Sequence, residues 1–345
     1  MIYYLSTERF SSTIRHFLRG NGRALRNVVV PLTYEELFFE GAGPAGHYIF
    51  TDFDRLSRYE LECAASFAAV LERTLPDARV FNHPLSALER FPLLVALNRA
   101  GINDFTATRI ECGERPPKYP VFIRCEDGYG GPETDLLYDE EELEAAIDDL
   151  ERRGLPRRGR IAVGYANDVA ANGHFQKYGA FRVGGRIVPH DLMFGRNWIV
   201  KMQRPPGAVE SRDADFSTSD EGVAEELRYI HDNPHADALL RAFEVAKIDY
   251  GRADYTVLGG RVQIFEINTN PHLPHRTPSL RSERARLVQS KLVESIAELN
   301  TPMSGGGRVR FQPARPRAHN LHWPRRRLFK SLARRSLASL TGWRR

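Results

Sequence analysis

The sequence is poor in cysteine and has no long apolar run. Its three cysteines, Cys63, Cys112 and Cys125, form no C-x-x-C pair. An odd number of widely separated cysteines argues against a disulfide framework and against a structural zinc site. No stretch of about eighteen apolar residues is present, so no transmembrane helix is predicted. The first twenty residues also lack the apolar core of a signal peptide. We therefore expect a cytoplasmic protein.

Several common catalytic motifs are absent as well. The sequence contains no G-x-S-x-G, no P-loop lysine motif and no H-E-x-x-H. These absences argue against a serine hydrolase with a nucleophile elbow, a P-loop nucleotidase and a zinc protease.

Positive charge is concentrated at the C-terminal end. The 345 residues include 49 Lys and Arg and 44 Asp and Glu, a formal net charge of +5. Residues 304–345 hold 12 of the basic residues and no acidic one, so the rest of the chain is mildly acidic. Binding to an anionic membrane surface, to nucleic acid or to an acidic partner is therefore expected of this tail alone. A solvated, disordered extension is the alternative.

Three regions can be separated along the chain. In residues 1–100, predicted strands at 27–31, 47–52 and 78–82 alternate with helices, one over 58–75 and one from Pro84 to Gly101. This alternation predicts a small parallel α/β domain. Residues 301–345 are rich in Pro and Arg. They are expected to be poorly ordered from Ser304 to about Trp323, with a possible amphipathic helix over 325–343.

The middle region, residues 101–300, has a mixed pattern. Two predicted hairpins turn at glycine pairs, Gly184-Gly185 and Gly259-Gly260. The remaining predicted elements are strands at 119–125 and 160–165, helices at 139–150 and 286–299, and a helical stretch over 221–246 that is interrupted at Asn233-Pro234.

The most informative segment is RADYTVLGGRVQIFEINTNP, residues 252–271. Glu266 and Asn268 are two residues apart on a predicted strand, so their side chains point to the same face. Asp254 lies on the partner strand, near the level of Glu266. Two carboxylates and an amide oxygen are ligands that suit one or two Mg²⁺ ions bridging nucleotide phosphates. Mn²⁺ is an alternative. The alternative interpretation of the same residues is an edge strand whose side chains point to solvent.

Arg252-x-Asp254 followed by Glu266-x-Asn268 resembles the C-terminal signature of the ATP-grasp superfamily, which includes D-alanine–D-alanine ligase, glutathione synthetase and the glutamate ligases of ribosomal proteins. The resemblance implies two α+β lobes that sandwich ATP, after a small parallel α/β domain. It also implies that Asp254, Glu266 and Asn268 hold the metal. Arg252 then meets the transferred phosphoryl group and the acyl phosphate.

The first-lobe pattern of the family is Pro-x-x-x-Lys followed by a glycine-rich loop. Here Pro120 starts the match and Arg124 replaces the lysine; arginine can still fork onto phosphate oxygens. The glycines of the following loop would let backbone amides approach phosphates. These glycines are Gly128, Gly130 and Gly131.

The resemblance extends to the base and to the central segment. The strand carrying Val163 and Tyr165 resembles the one whose backbone reads adenine, and Asp168 and Asn172 are alternative candidates for the ribose. Lys177 and Tyr178 match the family's Lys-Tyr-Arg, with Gly179 in place of the arginine. Further cations, among them Lys201, are candidates to supply the missing charge.

The resemblance implies a carboxylate–amine ligase that works through an acyl phosphate, with ATP and Mg²⁺ as cofactors and small-molecule or peptide substrates. A non-catalytic nucleotide sensor or scaffold is the alternative that Arg124 and Gly179 favour. A kinase that yields a phosphomonoester is a third interpretation. A homodimer is a further expectation drawn from the family. The tail could attach the protein peripherally to a membrane.

Overall fold

The computed structural model describes residues 1–127, 130–200, 212–273 and 283–312. The predicted glycine Gly128, the predicted cation Lys201 and all of the tail beyond residue 312 lie outside these ranges. Within them, no helix is long and apolar enough to cross a membrane.

The first part of the chain alternates strands and helices. Its elements are β1 (Ile2–Ser6), α1 (Ser12–Arg19), β2 (Val29–Thr33), α2 (Tyr34–Glu40), β3 (Ala42–Pro44), β4 (His47–Phe50), α3 (Arg58–Thr74), β5 (Val80–Phe81) and α4 (Arg90–Arg99).

A parallel sheet forms the centre of this part, as the alternation predicts. Its strand order is β2-β1-β4-β5, and Ile2 on β1 lies opposite both Val29 and His47. The central strand β1 was not predicted from the sequence. Helix α3 begins at the predicted residue, Arg58, where Ser57 and Glu60 form a reciprocal capping box, and ends one residue before the predicted end.

Helix α4 begins later than predicted and packs away from the first sheet. The sequence predicts a start just after Pro84, whereas the helix begins at Arg90. Its buried Leu93 and Leu97 belong to a core that contains Ile264 and Phe243 of the later elements. The domain boundaries at residues 100 and 300 remain predictions.

The second part of the chain holds two further sheets. Its elements are β6 (Ala107–Arg109), β7 (Val121–Cys125), α5 (Glu140–Arg152), β8 (Arg160–Gly164), β9 (Phe175–Val183), β10 (Arg186–Gly195), α6 (Ala214–Thr218), α7 (Asp220–Asp232), α8 (Ala236–Ala246), β11 (Tyr250–Leu258), β12 (Arg261–Asn268), α9 (Glu283–Glu298) and β13 (Arg308–Arg310).

One small sheet has the order β6-β8-β7 and packs on α5, and one four-stranded antiparallel sheet has the order β10-β9-β11-β12. Both predicted hairpins form, and Asn233 in the left-handed region ends α7 before α8 begins. Mixed α/β architecture with one parallel and several antiparallel sheets therefore agrees with the predicted fold class.

A β-bulge interrupts each outer strand of the four-stranded sheet. On β12, Asp254 pairs with Glu266 but the next residue, Tyr255, pairs with Ile264, so Phe265 is the extra residue. On β10, Pro189 pairs with Ala180 and Asp191 with Gly179, so His190 is extra. A bulge shifts the alternation of side chains by one position. Ile264 and Ile267, three residues apart, therefore both pack into the core on the helix side of the sheet.

Residues 308–312 correct one prediction. We expected poor order from Ser304 onward, but β13 pairs antiparallel with β3, with Val309 opposite Gly43. Val309 and Phe311 are 7% and 6% exposed and pack against the core around α3. Because the region is rich in Pro and Arg, its composition gave no indication that two apolar side chains pack into the core. The basic-tail and amphipathic-helix predictions otherwise concern residues outside the described ranges.

Candidate active site

A cavity of about 220 Å³ lies between the three-stranded and the four-stranded sheet. One end is lined mainly by apolar side chains and the other by charged ones. The apolar and aromatic lining residues are Leu94, Phe105, Phe122, Val163, Tyr165, Ala166, Trp198, Ile199, Val200 and Phe265. The charged and polar lining residues are Arg90, Arg124, Lys177, Asp254, Glu266 and Asn268.

Three aromatic rings shape the apolar end. The ring of Trp198 lies 5.2 Å from that of Phe122 and meets the ring of Tyr165 edge-on at 5.7 Å. The backbone N–H groups of Gly164 and Tyr165 are already bonded, to the carbonyls of Thr106 and Pro120. A planar base in this end would therefore be held by stacking and apolar contact more than by those two amides.

Glu266 sits between two arginines at the charged end. Arg90 Nη2 donates to Glu266 Oε2 at 2.7 Å, and Arg124 Nη1 lies 3.9 Å from the same oxygen. Burial raises the pKa of Glu266, but the positive charges of Arg90 and Arg124 outweigh it and bring the pKa to about 2. Glu266 is thus ionised at neutral pH.

Arg124 keeps unused capacity to bind an anion. Its Nε is buried and has no hydrogen-bond partner among the described residues. Burial, helped by the neighbouring Arg90, lowers the pKa of Arg124 to about 10, so the guanidinium still carries its charge at pH 7. A buried donor without an acceptor costs free energy, and an incoming phosphate oxygen would satisfy it.

Asp254 sits between two further cations. Lys177 Nζ donates to Asp254 Oδ2 at 2.9 Å, and Arg252 Nε donates to Oδ1 at 3.0 Å. Burial lowers the pKa of Lys177, but Asp254 offsets that effect and raises the pKa overall. Both cations are therefore charged and fixed beside the cavity.

The site residues of the sheet stand in one cross-strand row. Asp191 on β10 is opposite Gly179 on β9, which is opposite Asp254 on β11, which is opposite Glu266 on β12. Because of the bulge at Phe265, the side chain of Glu266 points to the cavity. The extra residue, Phe265, also lines the cavity.

The donor set at the charged end suits Mg²⁺. Asp254 and Glu266 are directly opposed, and the Asn268 amide nitrogen donates to Glu266 Oε1 at 3.2 Å, which places the amide on the same face. Hard oxygen donors of this kind are what Mg²⁺ takes alongside water and phosphate. Within the described residues no group of three or more His, Cys, Asp or Glu could hold a metal ion, so phosphate oxygens would have to complete the set.

Most of the predicted site residues come together. Arg252 lies behind the lining, bonded to Asp254. Asp168 does not line the cavity; it is exposed, and its carboxylate accepts from the N–H of Val169. Gly130 is exposed with open space around it. The predicted residues that line the cavity are Arg124, Gly131, Val163, Tyr165, Lys177, Asp254, Glu266 and Asn268.

Sequence reasoning missed several lining residues, among them Arg90 and Trp198, and one neighbour of the site, Asp191. Arg90 contacts Glu266 from 176 positions away, and Trp198 reaches Phe122 from the end of β10. Asp191 became a site neighbour only through its bulge. Because the helix was predicted to start just after Pro84, Arg90 fell inside the predicted helix and carried no signal of its own.

The three-stranded and four-stranded sheets thus face each other across a cavity whose charged end carries Arg252-x-Asp254 and Glu266-x-Asn268. This arrangement agrees with the fold that the ATP-grasp resemblance of the sequence predicts. No protein-family model matches the sequence, and no curated protein matches it.

Solved structures that resemble this chain include D-alanine–D-alanine ligase from Bacillus anthracis, at 14% identity and a TM-score of 0.49, covering 86% of this chain and 96% of that one. A RimK domain ATP-grasp protein from Sphaerobacter thermophilus matches at 16% identity and a TM-score of 0.45, covering 88% and 100%. The ATP-grasp ligase PsnB, solved with a minimal precursor, Mg and ADP, matches at 11% identity and a TM-score of 0.45, covering 85% and 97%. At these values the likeness carries no information on substrates.

Proposed function

We propose that the chain is a Mg–ATP-dependent ligase that joins a carboxylate to an amine. The observation that carries the proposal is the charged end of the cavity. Three lining cations, Arg90, Arg124 and Lys177, stand against two carboxylates, Asp254 and Glu266. The result is a net positive, partly buried surface beside an aromatic compartment of the kind that holds a base.

The proposed reaction has two steps. An oxygen of the substrate carboxylate attacks the γ-phosphorus of ATP, the bond to the β,γ-bridging oxygen breaks, and ADP leaves. The nitrogen of the amine then attacks the acyl carbon, the bond from carbon to the phosphate oxygen breaks, and inorganic phosphate leaves. The amine nitrogen loses its proton to solvent or to phosphate. Neither step needs a nucleophile from the protein.

The chain's own cations would perform most of the work by binding and orienting phosphates. Arg90 and Arg124 would turn from Glu266 to phosphate oxygens, which satisfies the buried Nε of Arg124. Lys177 and Arg252 would meet the transferred phosphoryl group, where negative charge must be held in place. Mg²⁺ bound by Asp254, Glu266 and Asn268 would supply charge neutralisation of the phosphates.

A nucleotide-binding protein without ligase activity is a second candidate. It is favoured by Gly179, which leaves a phosphate-facing position of the family pattern without its cation. It is also favoured by the close pairing of all four site cations with Asp254 and Glu266. A kinase would differ from the ligase only in its acceptor and would give a phosphomonoester.

Positional isotope exchange tests the first step without knowledge of the amine. ATP labelled with ¹⁸O at the β,γ-bridge is incubated with Mg²⁺ and pools of carboxylic acids. Reversible acyl-phosphate formation moves the label into the β-nonbridging positions, and it should do so with some acid pools and not without acid. Lys177→Met should abolish the exchange. An exchange that never appears, combined with tight Mg–ATP binding, would instead support the sensor. A stable phosphomonoester would support the kinase.

A further inference from the structure

Position 179 has no room for a side chain. A Cβ added to Gly179 would lie 2.1 Å from Asp191 Oδ1, far inside contact distance. The ATP-grasp pattern has an arginine at this position, as described above. In this chain the carboxylate of the neighbouring strand therefore fills the space over the middle of the cross-strand row.

The bulge at His190 is what brings Asp191 to that space. Ile187 and Leu192 both pack into the core on the helix side of the sheet, although they are five residues apart. In a regular strand an odd separation would place them on opposite faces. The extra residue restores them to one face and sends Asp191 to the other, over Gly179.

Asp191 is buried, contacts His190 and lies in the cross-strand row beside Lys177 and Arg252. It is 3% exposed, and its Oδ1 lies 2.7 Å from Nδ1 of His190. Burial raises the pKa of Asp191, but His190, Arg252 and Lys177 together lower it well below its ordinary value. A buried carboxylate persists only when it is paired in this way. Asp191 thus acts on the same two cations that hold Asp254.

We propose that Asp191 is a positioning residue that replaces the missing arginine by holding Lys177 and Arg252 toward the transferred phosphoryl group. This inference rests on the function proposed above. Gly179 and Asp191 then form a matched pair: the glycine provides the space, and the carboxylate in that space attracts the two cations that also contact Asp254.

Two other roles of Asp191 lead to different measurements. If Asp191 only tied β10 to β9, its loss would lower stability and leave nucleotide selectivity unchanged. If it merely diluted the positive charge, its loss would tighten binding of ATP, which is more negative than ADP. Positioning predicts the opposite, because ADP lacks the phosphoryl group that Lys177 and Arg252 meet.

The first experiment compares dissociation constants for Mg–ATP and Mg–ADP by titration calorimetry. Asp191→Asn keeps the shape and removes the charge. Asp249→Asn is the control, because Asp249 directly precedes β11 and pairs with Arg182 of β9 at 3.5 Å, and neither residue lines the cavity. We expect Asp191→Asn to lower the preference for ATP over ADP about tenfold, the loss of one charge-assisted contact. An unchanged or increased preference would overturn the proposal.

The second experiment tests the matched pair without nucleotide. Gly179→Ala should lower the melting temperature in the parent, since its Cβ collides with Asp191. The same change should cost much less in an Asp191→Ala background. Equal losses in both backgrounds would overturn the pairing. A parent that binds neither nucleotide would refute the proposed function and the positioning role with it, whereas the melting cycle would still report the packing.

Discussion

Breaking the ion pair between Arg90 and Glu266 should destabilise the protein by about 2 kcal/mol in the absence of nucleotide. The pKa of Glu266 falls from 4.5 to about 2, and Arg90 is the largest lowering influence. At about 1.4 kcal/mol per unit this depression corresponds to about 3 kcal/mol of stability at neutral pH, shared between Arg90 and Arg124. The side chain of Glu266 is 24% exposed, which keeps the figure below that of a fully buried pair.

The assay is a double-mutant cycle of Arg90→Ala and Glu266→Gln, with free energies of unfolding from urea titrations. The cycle matters because Arg90 Nη1 also donates to the carbonyl of Glu126 at 2.7 Å, and a single variant would lose that bond too. The matched control is the pair Arg186–Glu298, which has a similar distance of 2.6 Å but side chains 56% and 51% exposed.

The expected coupling energies are about 2 kcal/mol for the buried pair and below about 1 kcal/mol for the exposed control. Equal coupling energies in the two cycles would refute the reasoning from burial. Saturating Mg–ATP should reduce the coupling between Arg90 and Glu266, because the proposal has Arg90 turn to phosphate.

Three further predictions concern pH, the C-terminal strand and the aromatic end. The pKa of Glu266 is about 2 in the folded protein, against an ordinary value of 4.5. Its charge therefore contributes fully to the free energy of unfolding above pH 4.5, and this contribution is lost as the pH falls through 2. Glu266→Gln should remove that part of the pH dependence of urea unfolding. Phe311→Ala should lower the free energy of unfolding by about 3 kcal/mol, whereas Phe39→Ala, at a half-exposed position, should lower it by less than about 0.5 kcal/mol. Equal losses would contradict the burial of the segment that contains β13. Trp198→Ala should weaken Mg–ATP binding about tenfold or more, the value of one stacked base, whereas the exposed Tyr138→Ala should not. Calorimetry of the two variants decides this last point.

The sequence was most informative where chemistry and spacing coincide. The turn at Gly259-Gly260 set the register of the last hairpin to within one residue, so Asp254 lies near the level of Glu266 as predicted. The bulge at Phe265 then brings Asp254 and Glu266 directly opposite each other. The capping residues Ser57 and Glu60 likewise fixed the start of α3. These features are local, since a few neighbouring residues determine them.

The remaining features depend on contacts between distant parts of the chain. Strand β1 reads IYYLS, which has no clear alternation because both faces of a central parallel strand are covered. The bulges at His190 and Phe265 are invisible in the apolar pattern until the helix-side core is known. Arg90 and β13 reach their places across 176 and more than 260 positions, and only tertiary packing fixes such pairings.

The most direct test of the account is the binding of ATP to the parent chain with and without Mg²⁺, measured by thermal unfolding and calorimetry beside Glu266→Ala. A ligand that binds the folded state must raise its melting temperature. The account predicts a clear rise with Mg–ATP in the parent, a smaller one without Mg²⁺, and its loss in Glu266→Ala. No rise in the parent at saturating Mg–ATP would contradict the central claim that the cavity between the two sheets is a nucleotide site.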